Sequence, residues 1–377
     1  MLGTIDRDGP RSGRREPREG TDTKSVGRTW TGRVLPTVVV LLVAACSSAP
    51  PAPSLPGRSP AVDPSPSAGL TASPSQQIGL TPPPSVAPPP TPTTSPSPRP
   101  PISPPPSGEP GRVMVAKDVP FTPLLPCAEF RDGCVNLVDV YYPENPGPWP
   151  VIVTIHGRPR TPADMAPLAR ALARRGSVVF NADYRGVRPI SKGFPESIVD
   201  VACAVRFART TADQYGGNGE HLVLVGHSQG GYVGAMVSLA GDEFRGREGS
   251  CLAEGGSALP DGFVHVAGVS IIHPNLPLDW TYFGGTPAQK PEQWERGEIL
   301  NHLGGNASLV VGIIFERNDP ILGTLHATRL HRALEDAGYD SRLELLDRGS
   351  THFDILRIPG LGQRVVAMVE DIVARTE

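Results

Sequence analysis

The sequence HLVLVGHSQGG, at residues 221–231, decides the fold. Its first five residues form a short, mostly apolar run typical of a buried strand, and small residues typical of a helix follow from Gly230 to Ala240. Between them, Gly226-His227-Ser228-Gln229-Gly230 fits the pattern G-x-S-x-G in the strand-to-helix context that this pattern requires. A serine on so sharp a turn has strained backbone angles, and the two glycines remove the collisions that larger side chains would cause. We therefore predict an exposed, nucleophilic Ser228; the alternative is a glycine-rich turn with a serine cap.

Segments typical of strands and helices alternate from residue 112 to residue 377. The runs typical of strands are Val135–Tyr142, Val151–Ile155, Val178–Ala182, His221–Val225, Val264–Ile272, Leu309–Phe315 and Arg342–Leu346. Thr161-Pro162-Ala163-Asp164 has the form of a capping box, although Pro167 favours a regular helix only from about that residue. The other predicted helices are Glu196–Thr211, Gly230–Ala240, Leu322–Ala337 and Gln363–Ala374. Strands separated by helices predict an α/β protein with a mostly parallel sheet covered on both faces.

A nucleophilic serine needs a general base and a carboxylate that orients the base. His352 lies between the last predicted strand and the last predicted helix, at the same edge of the sheet as Ser228, and is the predicted base. Asp319 follows the strand Leu309–Phe315 and is the predicted acid, with an Asp-Pro turn as the alternative role. Three other aspartates are rivals: Asp279, Asp347 and Asp354. The helical His326 and His331 are interpreted as surface residues.

Backbone N–H groups are the expected donors to the oxyanion, because they are fixed in place and cost little reorganisation. Gln229, directly after the serine, supplies one of them. The other is expected just after the strand Val151–Ile155, from Gly157 or Arg158, since Pro159 has no N–H.

These residues together resemble an α/β-hydrolase of the microbial esterase/lipase branch. The resemblance covers roughly residues 130–377 and rests on His156-Gly157, Asp183-Tyr184-Arg185, Gly226–Gly230, Asp319-Pro320 and His352. It implies the α/β-hydrolase fold, a Ser-Asp-His triad and cleavage of esters through an acyl-enzyme intermediate, and it is unspecific for substrate.

The chain departs from many of these relatives after Gly157, where Arg-Pro-Arg stands in place of further glycines. That departure weakens an assignment to the hormone-sensitive-lipase-like group. Arg158 and Arg160 could meet an anionic substrate group, but solvated surface charge is the preferred interpretation. The segment Asn275–Asn301 is expected to arch over the site, although its aromatic residues can equally serve packing.

The N-terminal region is typical of an exported protein. Val34–Ala45 is an uncharged run of 12 residues, too short to span a bilayer and suited to a signal peptide. It ends in Val43-Ala44-Ala45-Cys46, which resembles the lipobox of bacterial lipoproteins. The resemblance implies acylation of Cys46, with palmitate as one expected chain, and a protein anchored to the cell membrane on its extracytoplasmic side. Acidic residues before Val26 do not suit a signal peptide, so we expect the true start near that residue; a buried helix ending in a free thiol is the alternative to export.

Proline divides the chain. Of its 45 prolines, 23 fall in the 64 residues from Ser47 to Pro110, which carry only four charged side chains. Such a stretch cannot bury enough apolar surface to form a core. We therefore predict a leader at residues 1–45, a lipid-anchored, disordered linker at 46–111 and a catalytic domain at 112–377.

Four cysteines remain once Cys46 is assigned to lipid. An even number in an exported chain favours two disulfides. Cys127 and Cys134 flank a short loop and are paired with each other, which leaves Cys203 with Cys251. Four buried free thiols are the alternative.

Charge and composition limit the function classes. The net charge is −3, and residues 1–45 carry eight basic and five acidic side chains, which leaves −6 for the rest. So acidic a chain is not expected to bind nucleic acid. No metal-ligand spacing is found, and neither metal nor organic cofactor is implied. An esterase acting on small-molecule or polymer-borne esters is the preferred function; a peptidase of the prolyl-oligopeptidase-like group and a non-catalytic binding protein are the alternatives.

Overall fold

The computed structural model describes residues 109–127, 131–186, 191–347 and 351–376. Eight strands of this part form one sheet. In chain order they are β1 Val113–Pro120, β2 Leu137–Pro143, β3 Trp149–Ile155, β4 Val178–Ala182, β5 Gly217–His227, β6 Gly262–Val266, β7 Val310–Glu316 and β8 Asp340–Leu346. Their order across the sheet is β1-β2-β4-β3-β5-β6-β7-β8.

The sheet is parallel from β4 to β8, and only the β1–β2 and β2–β4 pairs are antiparallel. β3, β4, β6 and β7 consist almost wholly of buried residues, as strands covered on both faces do. Parallel strands bring their carboxyl ends to one edge of the sheet, where the following loops meet. That edge carries the residues predicted from the sequence to act together.

Helices cover both faces of the sheet. They are α1 Pro162–Ala173, α2 Glu196–Thr211, α3 Gln229–Leu239, α4 Pro277–Phe283, α5 Pro291–Arg296, α6 Leu325–Asp336 and α7 Gly362–Thr376. α1 packs against α7, whereas α2 packs against α3, and each pair also contacts the central strands. The predicted α/β architecture is confirmed. Among the described residues, no helix is both long and apolar enough to cross a bilayer.

Two local predictions need correction, and one strand was not predicted. α1 begins at Pro162 rather than near Pro167, because Thr161 and Asp164 form the full capping box, with the Thr161 hydroxyl accepting from Ala163 N at 3.2 Å. Pro167 is tolerated because it lies on the exposed side of the helix, where solvent can hydrate the freed carbonyl. The strand predicted over Val264–Ile272 ends at Val266, and β1 is a half-exposed edge strand that the sequence analysis did not identify.

The cysteines differ in part from the expected pairing. A disulfide joins Cys203 in α2 to Cys251 in the loop after α3, and both residues are buried in the core. Cys127 and Cys134 are free thiols, so the second bridge is absent from the structure. Burial and a hydrogen bond with Cys127 raise the pKa of Cys134 to about 12. Cys46, the leader and most of the linker lie outside the described residues.

Removing the disulfide tests its contribution to stability. The Cys203→Ala/Cys251→Ala variant is expected to lose about 2–4 kcal/mol of unfolding free energy, because the cross-link restricts the unfolded chain. Urea unfolding measures the change. Adding a reductant should destabilise the wild type in the same way, because it breaks the disulfide. The Cys127→Ser/Cys134→Ser variant is the matched control, and a reductant should lower its unfolding free energy as much as that of the wild type. Equal stability of the wild type with and without reductant would contradict the prediction.

Candidate active site

Ser228 occupies the strained turn between β5 and α3. Its backbone angles are φ 56° and ψ −122°, a region that residues with a side chain rarely adopt. A Cβ on Gly226 would collide with the carbonyl oxygen of Gly230, and a Cβ on Gly230 would lie 2.5 Å from the carbonyl oxygen of His156. The two glycines therefore have the steric role predicted for them. Ser228 is half-buried, whereas its neighbours in the turn are buried.

Asp319 and His352 are in direct contact. Oδ2 of Asp319 lies 2.6 Å from Nδ1 of His352, and both side chains are buried. Oδ1 of Asp319 accepts from the backbone N–H groups of Ile321 and Leu322 at 2.8 and 2.9 Å. Burial opposes ionisation of Asp319, but the hydrogen bonds from His352 and from these two amides outweigh it and lower its pKa. A carboxylate accepts only, so Nδ1 of His352 carries the proton and Nε2 is left free to take one.

His352 is also tied to the turn that carries the serine. Nε2 of His227 donates to the carbonyl oxygen of His352 at 3.1 Å, and the two rings lie 4.8 Å apart. Burial, and next the charge on His352, lower the pKa of His227 to about 3, so His227 is neutral. Nε2 of His352 is buried and has no hydrogen-bond partner among the described residues, Ser228 included. The base is thus fixed from two sides, with its second nitrogen available.

The rival acids have other partners. Asp347 is exposed and pairs with Arg317 at 2.6 Å. Asp354 accepts from the N–H of Thr351 at 3.0 Å. Asp279 accepts from the N–H of His273 at 2.8 Å. Of the four aspartates, Asp319 is the one that the structure brings to His352.

The predicted oxyanion loop lies beside the serine. A Cβ on Gly157 would lie 2.7 Å from the Cβ of Ser228, so only glycine allows this approach. The loop is braced through His156, whose Nε2 lies 2.9 Å from Asp183 and whose Nδ1 lies 2.8 Å from the carbonyl oxygen of Gly157. The Tyr184 hydroxyl donates to the carbonyl oxygen of His156 at 2.8 Å. Asp183 and Tyr184, which the sequence indicates only through a resemblance, thus support the oxyanion loop through His156.

The three predicted donors are the backbone amides of Gly157, Arg158 and Gln229. Gln229 is the first residue of α3, and the first amides of a helix have no acceptor within it. Within the described part of the chain, the amides of Gly157 and Arg158 donate to no main-chain acceptor. None of the three N–H groups is therefore committed to a main-chain acceptor in the described residues.

Known proteins resemble this chain in part of its sequence and in its fold. Residues 138–259 match the family model BD-FAE, a stretch that holds Gly157 and Ser228 but neither Asp319 nor His352. The esterase Est2 of the Planctomycetes species Thermogutta terrifontis, solved with butyrate bound, superposes with a TM-score of 0.53 at 19% identity, covering 67% of this chain and 94% of that one. A truncated carbohydrate esterase from gut microbiota superposes at 0.55 and 16% identity, over 71% and 99% of the two chains. The chain has the α/β-hydrolase fold.

Two curated relatives match part of the chain. Esterase LipC of Mycobacterium tuberculosis is 32% identical over 122 residues, which is 30% of this chain and 29% of LipC. A probable isoprenylcysteine α-carbonyl methylesterase of Oryza sativa is 32% identical over 130 residues, 32% of this chain and 30% of that protein. The matched region thus spans less than a third of either relative.

A cavity of about 560 Å³ opens at Ser228, at the edge of the sheet where ligands bind in this fold. Its wall is largely apolar, and the polar residues in it include Arg158, Gln229 and Asp279. The large apolar side chains that line it and remain exposed are Leu276, Leu278, Ile321 and Leu325. An apolar wall with a few polar groups is typical of a site for a small organic ligand.

The segment from Asn275 to Asn301 lines part of this cavity, while its aromatic residues serve packing, the alternative role considered for them. Leu276, Leu278 and Asp279 line it. Three of the four aromatic residues, Tyr282, Phe283 and Trp294, are instead buried in the core, and Trp280 packs against the core, half-buried.

His326 is likewise not a surface residue. It is buried, lines the cavity, and accepts from the N–H of Ser270 at 3.0 Å through Nδ1. Burial, followed by the charge on His273, lowers its pKa to about 4. No group of three or more His, Cys, Asp or Glu side chains suited to a metal ion is found in the described ranges.

Glu316, at the end of β7, is a buried carboxyl group that the sequence analysis did not single out. Burial, and then the charges of Asp319 and Asp354, raise its pKa from 4.5 to about 7. A second ionised carboxylate at this point would compete with Asp319 for the positive charge that His352 gains when it takes a proton.

Glu316 gives the stability of the protein a defined dependence on pH. Because its pKa is higher in the folded state, the folded protein binds more protons between about pH 4.5 and 7, so the unfolding free energy falls as pH rises through this range. Glu316→Gln removes this loss. The unfolding free energy of the variant should exceed that of the wild type by about 1–3 kcal/mol at pH 8 and approach it at pH 5, as measured by urea unfolding. A stability difference that is the same at both pH values would contradict the raised pKa.

Proposed function

We propose that the chain is a serine hydrolase that cleaves carboxylic esters through an acyl-enzyme intermediate. His352 takes the proton of Ser228 at Nε2 while Oγ attacks the ester carbonyl carbon. The amides of Gln229 and of Gly157 or Arg158 hold the oxyanion, and Asp319 stabilises the imidazolium. The imidazolium then gives its proton to the departing alcohol oxygen as the carbon–oxygen bond breaks. Water, activated by the same histidine, releases the acid and restores Ser228.

The observation that carries this proposal is the contact between the buried, ionised Asp319 and Nδ1 of His352, at 2.6 Å. The side chain of His227, which precedes Ser228, donates a hydrogen bond to the carbonyl oxygen of the same histidine. A buried Asp-His pair beside a strained serine is an arrangement that serves nucleophilic catalysis. The esterase names of the partial relatives and of the structural neighbours support esters as the substrate class.

Single substitutions test the triad. Ser228→Ala should lower kcat/KM for 4-nitrophenyl acetate by about 10³- to 10⁶-fold, because the nucleophile is lost. Asp319→Asn, which keeps the shape of the side chain, should lower it by about 10²- to 10⁴-fold. Thr351→Ala, a neighbour outside the triad, is the matched control. Ester hydrolysis by Ser228→Ala at the wild-type rate would refute the mechanism, and turnover of peptide anilides without turnover of esters would refute the substrate class.

We also propose that the enzyme works outside the membrane, held there by a lipid on Cys46. The lipobox-like Val43-Ala44-Ala45-Cys46 and the proline-rich stretch that follows it support this proposal. A polyproline helix rises about 3.1 Å per residue, so 64 residues in that form would span on the order of 200 Å, and turns would shorten this reach.

Labelling tests the anchor. In a bacterium that processes lipoproteins, a labelled fatty acid should enter the wild-type protein and the Cys127→Ser control, but not Cys46→Ser, which should leave the membrane fraction. Equal label in Cys46→Ser and in the wild type would contradict the acylation site.

A further inference from the structure

Arg158 lines the cavity at Ser228, where the sequence analysis preferred a solvated surface charge. Its guanidinium carbon lies 5.4 Å from the ring centroid of Tyr282, a core residue. Its Nη1 is buried and has no hydrogen-bond partner among the described residues. Burying such an N–H donor costs free energy unless a ligand or another group accepts a hydrogen bond from it.

Arg158 differs in this respect from its neighbour Arg160. Arg160 pairs with Asp164 at 3.5 Å and lies over the ring of Phe353 at 3.8 Å. In the described part of the chain, no carboxylate forms an ion pair with Arg158. Burial lowers the pKa of Arg158, but a guanidinium stays charged in proteins. The cavity therefore contains a fixed positive charge with unused donor capacity.

The other titratable groups that line the cavity are Asp279, His273 and His326. Of these, Asp279 is the one acid, and it forms no ion pair with Arg158 in the described part of the chain. His326 is neutral near pH 7, because burial lowers its pKa to about 4. Burial also raises the pKa of Asp279, and this carboxylate accepts from the N–H of His273 rather than from Arg158. No lysine and no second arginine lines the cavity within the described residues.

We propose that Arg158 binds a carboxylate carried by the substrate, so that the preferred substrates are esters with an anionic group on the acyl or the alcohol half. This inference rests on the proposed function and adds the substrate class to it. A planar guanidinium suits a carboxylate, because two parallel N–H groups can donate to its two oxygens. The apolar wall formed by Leu276, Leu278 and Ile321 would bury the carbon chain between the ester and the anionic group.

Matched substrate pairs test the proposal. For the acyl half, the 4-nitrophenyl monoester of adipic acid is compared with 4-nitrophenyl hexanoate; for the alcohol half, 4-acetoxybenzoate is compared with its methyl ester. The readout is the ratio of kcat/KM for the anionic over the neutral ester, which cancels any general loss of activity. Arg158→Met should lower this ratio by about 10- to 100-fold in one of the two pairs, as expected for a lost charge-assisted hydrogen bond.

Two further variants bracket this result. Arg160→Met removes the same charge two residues away and should leave both ratios within about 3-fold of the wild type, because Arg160 has its own partners. Asp279→Asn removes the competing negative charge and should raise the ratio that Arg158→Met lowers. Ratios unchanged by Arg158→Met in both pairs would overturn the proposal.

Binding without turnover separates this inference from the proposed function. In Ser228→Ala, titration calorimetry compares the mono-anilide of adipic acid with hexananilide, and 4-acetamidobenzoate with its methyl ester. Adding Arg158→Met should weaken binding of the anionic member of one pair by at least about 10-fold. Equal dissociation constants with and without Arg158 would overturn the anion site. If the wild type hydrolysed no ester but Arg158→Met still weakened binding of the anionic ligand, the anion site would be supported and the esterase function refuted.

Discussion

The strained backbone of Ser228 is the constraint on which the rest of the site depends. Its positive φ of 56° places a side chain at the tip of β5 only because glycines stand at positions 157, 226 and 230, where a Cβ would collide with neighbouring atoms. Such a conformation persists only where the surroundings over-determine it. Here β5 lies at the centre of a parallel sheet and α3 is packed against it, so tertiary packing offsets the local strain.

The sequence predicts the site residues nearest this turn better than it predicts the bounds of the outer elements. The G-x-S-x-G pattern, the order serine, aspartate, histidine, and the rule that parallel strands end at one edge were enough to select residues 228, 319 and 352. α2 has the predicted bounds, Glu196–Thr211, because its apolar residues recur at helical spacing, with Ile198, Val201 and Val205 buried. β1 escaped prediction because its side chains are half-exposed and include Lys117 and Asp118, so it lacks the apolar run of a buried strand.

What the sequence could not provide is the environment of individual polar side chains. Arg158 and Arg160 stand two positions apart in the same loop, yet Arg158 lies half-buried against the ring of Tyr282 and Arg160 pairs with Asp164. His326 shares the buried face of α6 with Leu330 and Leu334, but the hydrogen bonds that it accepts come from the segment after β6. Both outcomes depend on segments far away in the chain, and no local periodicity encodes such contacts.

The hydrogen bond between His227 and the His352 carbonyl links the backbone of the base to the residue that precedes the nucleophile. His352 is thus held both by the residue next to the serine and by Asp319. The segments that form most of the cavity wall, after β6, along α4 and at the start of α6, are different ones. Substitutions in those segments can therefore change the shape of the cavity while Ser228 and His352 keep their alignment. Most of the residues that would contact the substrate thus lie on other segments than the residues that would react with it.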